Sequence, residues 1–515
     1  MDHHEIVESE EYVDWRGREI QSSNYGGIKC AVIACVVEVL ENLVFISNAS
    51  NFVAYFSELM NYRPAEAANM VTNFFGTSFL LTIFGGFISD SFITRFWTFI
   101  LFGLVELLGL ILLLIQASTK SLQPAKGHKP SHAQEALLFA GLYAMATGVG
   151  GVKATLEAHG ADQLDKKNKK LITSFFNWFF FALSTGGLLS STFMVWVEQK
   201  SWRTSFRMDI GIFTLALCIF AGAFSFYRNK RPTGSPLTRI FKVLHYAVWN
   251  SKKGSSSSIM SQDRFDGRSR KLKFLDNAMI NNEASWEQVE ETRTFLGLLP
   301  ILFSTIMMNC CLAQLTTFSV HQGIIMNRKF SHTFEMPAPS LSVIPITVIL
   351  VSIFLYERLS KHLGNKQHMF MPIKRIGFGL ILASAAMAIA ALVEIKRRNA
   401  AEHGVKISVF WLGWQYLLLG FSDMLTLGGM LDFFYSEAPD SMRSMSTALA
   451  WCSTSLGFFL SSVLVAVVNS ITGAYGHQWL GGTNLNKTRL DLFYALLCVL
   501  NFINFLIYLY CAKRY

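Results

Sequence analysis

The sequence predicts an all-α membrane protein with about twelve transmembrane helices arranged as two six-helix bundles. Of the 515 residues, 51% are hydrophobic and only 16% are charged, whereas a soluble chain carries roughly a quarter charged residues. Apolar stretches of the length that crosses a bilayer, about 20 residues, recur along the chain. One long basic segment divides these stretches into two sets of six.

The apolar stretches follow one another from residue 28 to residue 512. The first six are predicted near 28–57, 66–92, 95–117, 134–159, 171–196 and 205–228, and the second six near 294–326, 340–360, 371–394, 408–435, 443–470 and 488–512. The layout predicts an N-terminal tail (1–27), a first bundle (28–228), a basic linker (229–293), a second bundle (294–512) and a short C-terminus (513–515). Six spans, a long loop and six more spans are the plan of the major facilitator fold.

The positive charge of the chain is concentrated in one segment. Residues 228–273 contain twelve lysines and arginines and two aspartates, which accounts for the whole formal net charge of +10. A basic loop between apolar spans is typical of the cytoplasmic side of a membrane protein, so we expect cytoplasmic termini and no binding of nucleic acid. An amphipathic stretch at 240–249 predicts a helix on the membrane surface.

Other functional classes have no support in the sequence. The eight cysteines lie in apolar spans or at their ends without paired spacing, so neither a disulfide framework nor a zinc site is expected. We find no nucleophile with an adjacent base, no metal-ligand spacing and no phosphate-binding loop. The chain is therefore not expected to be an enzyme or to hold a cofactor or metal.

Ionisable residues within the predicted spans are the candidates for function, because each costs roughly 2.5–3.5 kcal/mol at mid-membrane. Glu38 and Glu41 are three residues apart and therefore share one face of the first helix. Lys153 follows a glycine-rich stretch in the fourth span, Glu106 lies in the third span and Asp423 lies in the tenth.

Two interpretations of these charges remain open. In the first, they pair between helices as structural salt bridges, which is the favoured explanation for Glu106. In the second, Glu38, Glu41 and Lys153 titrate as one coupled site, and protonation of a carboxylate releases the lysine to attract an anion. The second interpretation predicts proton-coupled uptake of a negatively charged substrate.

Motifs are distributed along nearly the whole chain. They lie at 12–18, 85–92, 148–153, 160–163, 175–181, 186–187, 288–291, 299–300 and 438–447. Together they resemble the proton-dependent oligopeptide transporter family of the major facilitator superfamily, and in particular its plant nitrate and peptide transporter branch.

Three departures from the family pattern bear on the substrate. Asn42 stands where the family usually has the arginine of Glu-x-x-Glu-Arg, and Leu312 stands where nitrate-transporting relatives have a histidine. Asp423 replaces the glutamate of the tenth helix. The resemblance at Asn42 is to the subgroup that moves abscisic acid, gibberellin and nitrate. It therefore disfavours a peptide as the substrate.

The resemblance implies a proton-coupled importer of a small anion, either nitrate or a weak-acid plant hormone such as abscisic acid, in the plasma membrane. Glu38 and Glu41 are the expected proton sites and Lys153 the expected anion-binding residue. Weaker candidates for the wall of the substrate cavity are Thr316, Asp423 and Trp178.

Two alternatives and one regulatory site stay open. The chain is alternatively a di- or tripeptide transporter, which Asn42 disfavours, or a membrane sensor of nitrate or hormone with little transport. Arg95 lies three residues before Thr98, a spacing that suits a basic-directed protein kinase, so Thr98 is a candidate for regulatory phosphorylation. A threonine that simply packs at a helix start explains the same residue equally well.

Overall fold

A computed structural model gives the fold. It describes residues 12–19, 25–62, 64–125, 128–165, 168–194, 197, 201–232, 234, 236–252, 272–329, 336, 338–363, 371–439, 442–476, 478–480 and 485–514. Parts of the expected N-terminal tail and most of the central stretch of the basic linker lie outside these residues.

The first half of the chain forms six membrane-length helical segments, the second of them in two pieces. The helices are α1 (Ile28–Ala54), α2 (Pro64–Leu80), α3 (Thr82–Ser91), α4 (Arg95–Ser118), α5 (His132–Asp162), α6 (Lys169–Leu189) and α7 (Trp202–Gly222). Single π-helical turns, Tyr55–Leu59 and Ser190–Met194, extend α1 and α6.

The second half repeats this arrangement after a linker helix, α8 (Pro236–Lys252). Its helices are α9 (Trp286–Thr316), α10 (Phe318–Ile325), α11 (Val343–Leu363), α12 (Pro372–Glu402), α13 (Gly413–Glu437), α14 (Arg443–Ala474) and α15 (Leu490–Arg514). Here α9 and α10 together form one span.

Length and hydropathy support the predicted spans. Within the described residues, eleven helical segments are long and apolar enough to cross a membrane, and the shorter apolar helix Ser340–Tyr356 corresponds to the eighth span. The largest shift of a helix start is at α9, which begins at Trp286 rather than near residue 294. A capping box at Ser285, in which Ser285 and Gln288 exchange hydrogen bonds, starts the helix in polar sequence outside the apolar stretch.

Small residues allow α4 and α5 to approach closely. A Cβ atom on Gly148 would lie 2.3 Å from Cβ of Glu106, and one on Gly109 would lie 2.5 Å from the backbone nitrogen of Met145. Without a hydrophobic driving force between helices in lipid, such close contact is what stabilises their association. This contact brings Glu106 against the glycine-rich stretch that precedes Lys153.

The linker helix α8 is amphipathic, as predicted. Val243 and Ala247 are buried against the 3₁₀-helix Lys273–Asn282, whereas Phe241 is 77% exposed and Trp249 is 51% exposed. One apolar face of α8 therefore packs on the protein, and its exposed aromatic residues lie on the other side.

The start of the chain is joined to the same side of the molecule as the linker. Strand β1 (Tyr12–Val13) pairs antiparallel with β2 (Asn229–Lys230), which follows α7. The backbone N–H of Gly27 donates to the carbonyl of Gln163, just after α5, at 2.7 Å. We call this side, where α1 begins and α15 ends, the terminal side.

Candidate functional site

The structure brings Glu38, Glu41 and Lys153 together inside the first bundle. The ammonium nitrogen Nζ of Lys153 lies 2.8 Å from Oε2 of Glu41 and 3.4 Å from Oε1 of Glu38. It also donates to Oδ1 of Asn42 at 3.2 Å. All four side chains are buried. We refer to these four residues as the lysine cluster.

Three helices position the lysine cluster. Glu38, Glu41 and Asn42 share one face of α1, and Lys153 reaches them from α5. The amide of Asn42 donates to the carbonyl of Leu183 in α6 at 2.7 Å. Because its oxygen also accepts from Lys153 of α5, the Asn42 side chain links α5 to α6. Glu41 lies roughly 20 Å along α1 from Ile28, at a rise of about 1.5 Å per residue, which is near the middle of this helix.

Aromatic rings from both bundles flank the lysine. Its Nζ lies 5.1 Å from the ring centroid of Phe45 in α1 and 5.4 Å from that of Trp451 in α14. Trp451 also stacks on Phe79 of α2, with the ring centroids 5.3 Å apart. The lysine cluster is therefore located where the two halves of the molecule meet.

Glu106 forms no salt bridge with the part of the chain that the structure describes, although the sequence favoured one. Its side chain is fully buried in α4, and neither carboxylate oxygen has a hydrogen-bond partner among the described residues. The interpretation of Glu106 as a structural ion pair is wrong, because the ammonium of Lys153 is already bonded to α1. Glu106 lies within electrostatic range of Lys153 and adds a third carboxylate to its surroundings.

Sequence reasoning missed Glu157 altogether. It lies one turn after Lys153 on α5 and is fully buried, and its Oε2 accepts a hydrogen bond from Nε1 of Trp451 at 3.3 Å. The i, i+4 spacing from Lys153 places the two side chains on one helix face. That spacing could have identified Glu157 from the sequence. The residue lies near the predicted end of the fourth span, however, where a charged side chain is less conspicuous than at mid-membrane.

The remaining predicted residues do not join the lysine cluster. Asp423 is half-buried, with no hydrogen bond or ion pair to the rest of the described chain. The Thr316 side chain is exposed, and its hydroxyl donates to the carbonyl of Ala313 in its own helix at 3.0 Å. Trp178 is 39% exposed and packs edge-on against Phe181.

Thr98 packs inside the start of α4. Its side chain is fully buried, and its hydroxyl donates to the carbonyl of Thr94 at 3.1 Å. A kinase reaches this hydroxyl only after the segment opens locally.

A second polar network joins the bundles on the terminal side. Arg95 bonds to Asp162 and donates to Oγ of Ser444 at 2.5 Å, and Asp162 accepts from the hydroxyl of Tyr435 at 3.0 Å. Asp90 accepts from the backbone N–H of Met445 at 3.0 Å. Because Tyr435, Ser444 and Met445 belong to the second bundle, this network closes the terminal side.

Two bundles of membrane helices that meet around buried ionisable residues define a secondary transporter of the major facilitator type. Comparison with known proteins identifies its family. The family model described as PTR2: POT family matches residues 96–480. Protein NRT1/PTR family 4.2 of Arabidopsis thaliana is 54% identical, with 98% of this chain and 99% of the relative covered. Protein NRT1/PTR family 4.1 of the same plant is 52% identical, with 99% and 100% covered.

Solved structures agree with the fold. The POT family transporter PepTSo has a TM-score of 0.67 at 18% identity, with 94% of this chain and 98% of that chain covered. A peptide transporter POT in complex with sulfate has a TM-score of 0.65 at 14% identity, with 100% and 98% covered.

The chain belongs to the POT family, as a member of its plant NRT1/PTR branch. It is a multi-pass membrane transporter and not an enzyme, and the predictions of fold class and family are confirmed.

Proposed function

We propose that this chain is a proton-coupled importer of a small anion that works by alternating access, with both termini in the cytoplasm and the plasma membrane as its location. The observation that carries the proposal is the buried Lys153, bonded to Glu41 at 2.8 Å and to Glu38 at 3.4 Å at the meeting of the two bundles. A buried cation that binds an anion in a proton-dependent manner needs titratable partners of this kind.

Charge balance explains the coupling. One ammonium cannot neutralise two carboxylates, and like charges in a low-dielectric interior favour protonation of one of them. When Glu41 takes up a proton, its bond to Lys153 weakens and the ammonium becomes available to an anion. Loss of the proton restores the ion pair and expels the anion. Glu41 is the better candidate for this exchange because it is closer to the lysine than Glu38 is.

The surroundings of Lys153 favour an organic anion. Phe45 and Trp451 both present ring faces near its ammonium, and such rings pack well against an apolar body that carries one carboxylate. A weak-acid hormone such as abscisic acid has this chemistry. Nitrate is the inorganic alternative, and Leu312 offers it no imidazolium.

Asn42 argues against a peptide substrate, since its neutral amide replaces a cation beside the expected site. Asp423, Thr316 and Trp178 belong to this proposal as weaker wall candidates, and Thr98 as a candidate for phosphorylation by a protein kinase. Phosphate on Thr98 would introduce about −1.5 to −2 charge beside the network of Arg95.

A substrate panel in oocytes tests the proposed function. Labelled abscisic acid, nitrate and a dipeptide are supplied outside at about pH 5.5 and about pH 7.5, pH values that straddle a titrating carboxylate site. We expect acid-stimulated net uptake of abscisic acid above that of water-injected cells. If only the dipeptide shows acid-stimulated uptake, the substrate is a peptide and not a small anion. Saturable binding to purified protein without net uptake would favour a sensor.

A further inference from the structure

Glu157 is a buried carboxylate whose hydrogen bond crosses from the first bundle to the second. Its Oε2 accepts from Trp451 at 3.3 Å, and its Oε1 has no hydrogen-bond partner among the described residues. Thr447, one turn before Trp451, donates its hydroxyl to the carbonyl of Ser444 at 3.1 Å. A buried carboxylate that accepts one long hydrogen bond from Trp451, and beside which the hydroxyl of Thr447 is already bonded to a backbone carbonyl, is incompletely stabilised as an anion.

The neighbouring charges compensate an anion at Glu157 only in part. Lys153 on its own helix and Glu38 on α1 are the charged groups that interact with it, and Lys153 is already bonded to two carboxylates. On α14, its contacts are Trp451 and Thr447, which do not ionise in this range. The other titratable groups on the helices packed around α5 include Glu41, Glu106, Asp90 and Arg95. Four carboxylates around Lys153 would give the site a net charge of −3 if all were ionised.

Glu157 lies between the lysine cluster and the terminal-side network. Along α5 it is roughly 6 Å beyond Lys153 and roughly 7 Å before Asp162, at a rise of about 1.5 Å per residue. Separation of the bundles on the terminal side would remove Trp451 from Glu157 and admit water to its carboxyl group.

We propose that Glu157 is a further proton site of this transporter, protonated while Trp451 covers it and releasing its proton to water on the terminal side when the bundles separate there. In that step the carboxylic O–H bond breaks, the proton passes to water and a hydrated carboxylate remains. The replacement proton comes from the opposite side of the membrane through the carboxylates of the lysine cluster, and it reaches Glu157 after Trp451 covers it again. This inference rests on the proton-coupled transport proposed above.

The consequence is a pH dependence on the side where the proton is released. With external pH held acidic, acidification of the cytosol slows the release of the proton from Glu157 and therefore slows net uptake. The experiment uses oocytes at an external pH of about 5.5, labelled abscisic acid and labelled nitrate as probes, and a cytosol acidified by roughly one pH unit with butyrate.

Four proteins are compared at equal surface abundance, measured by biotinylation. They are wild type, Glu157→Gln, Glu157→Met and the matched control Glu287→Gln, which changes an exposed glutamate at the start of α9. Uptake by wild type and by Glu287→Gln is expected to fall by about threefold to tenfold on cytosolic acidification. Glu157→Gln, which has no proton to release at this position, is expected to keep only the weaker dependence that proton release from Glu41 contributes.

Glu157→Met also has no proton to release, and it is expected to weaken the dependence on cytosolic pH to the same extent as Glu157→Gln. This variant decides the question if Glu157→Gln does not reach the surface. An unchanged cytosolic-pH dependence in Glu157→Gln, or in Glu157→Met where that variant decides, contradicts the role of Glu157 and does not affect the proposed function. A wild type without acid-stimulated uptake contradicts the proposed function as well.

Discussion

At the scale of single residues, Asn42 supports Lys153 without adding a second cation. Its Oδ1 accepts from the ammonium of Lys153 at 3.2 Å, and its Nδ2 donates to the carbonyl of Leu183 at 2.7 Å. An arginine at this position would balance the second glutamate with a positive charge. The neutral amide leaves the cluster with more carboxylates than cations, so a proton is needed to balance the charge.

Replacement of Asn42 by alanine is expected to destabilise the protein. The carbonyl of Leu183 and one N–H of Lys153 would lose a partner in a buried site, which costs about 1–3 kcal/mol for each unsatisfied group. The measurement is the thermal unfolding temperature of the purified protein in detergent. Asn399→Ala, at an exposed position of α12, is the matched control, and equal unfolding temperatures for both variants would refute the bridging role of Asn42.

At the scale of helices, the contact between α4 and α5 depends on glycine. The absent side chain of Gly148 leaves room for the backbone and Cβ of Glu106, which would lie 2.3–2.5 Å from a Cβ atom at residue 148. Since both contacting groups belong to helices, neither can move aside independently. The glycine therefore fixes the depth at which Glu106 lies beside the lysine cluster.

Two glycine substitutions in membrane helices are expected to have opposite effects. Gly148→Ala forces α4 and α5 apart and is expected to cost about 1–3 kcal/mol as an overpacking substitution. Gly211→Ala, in α7, meets no atom of the described residues within 4 Å and is expected to stabilise its helix by about 0.5–1 kcal/mol. Thermal unfolding of both variants in detergent checks the difference, and a Gly148→Ala protein as stable as Gly211→Ala would exclude the close contact.

The helices were largely predictable, and their breaks were not. Apolar stretches of membrane length identify the spans because each must satisfy its backbone hydrogen bonds internally. The interruptions at Leu81 and Thr317 occur without proline or glycine at the break, so local sequence gave no signal. Glu106 was misjudged for a related reason, because its position in the span does not reveal which neighbour its side chain meets.

At the scale of the whole molecule, the two bundles are joined on the terminal side by polar contacts between distant parts of the sequence. Oγ of Ser89 donates to Oγ of Ser444 at 3.3 Å, and Arg95 donates to the same serine. These contacts must break each time the terminal side opens. The alternating access proposed above therefore requires Ser89 and Ser444 to separate.

A disulfide between these two positions is expected to stop transport. Ser89→Cys combined with Ser444→Cys joins α3 to α14, and oxidation should hold the terminal side closed. The measurement is labelled-substrate uptake before and after oxidation and again after reduction with dithiothreitol, with each single cysteine variant as its control. Full uptake by a protein shown to be cross-linked would contradict closure by this contact.

Contacts between the bundles also set the limit of prediction from sequence. Glu38, Glu41 and Lys153 were singled out because charge in an apolar span is conspicuous, and the structure brings them together. The bond from Trp451 to Glu157 spans 294 residues. Trp451 in an apolar stretch is unremarkable by itself, so only the packing of α5 against α14 assigns it a partner.

The coupling of Lys153 to Glu41 is the central claim, and uptake driven by external acid in defined variants tests it most directly. Wild type, Lys153→Ala, Glu41→Gln and the control Lys242→Ala, at an exposed position of α8, are compared at equal surface abundance with the substrate that wild type accepts. We predict acid-stimulated uptake in wild type and Lys242→Ala, no uptake in Lys153→Ala, and uptake in Glu41→Gln that no longer responds to pH. Acid-stimulated uptake that survives in both Lys153→Ala and Glu41→Gln would contradict the coupled site.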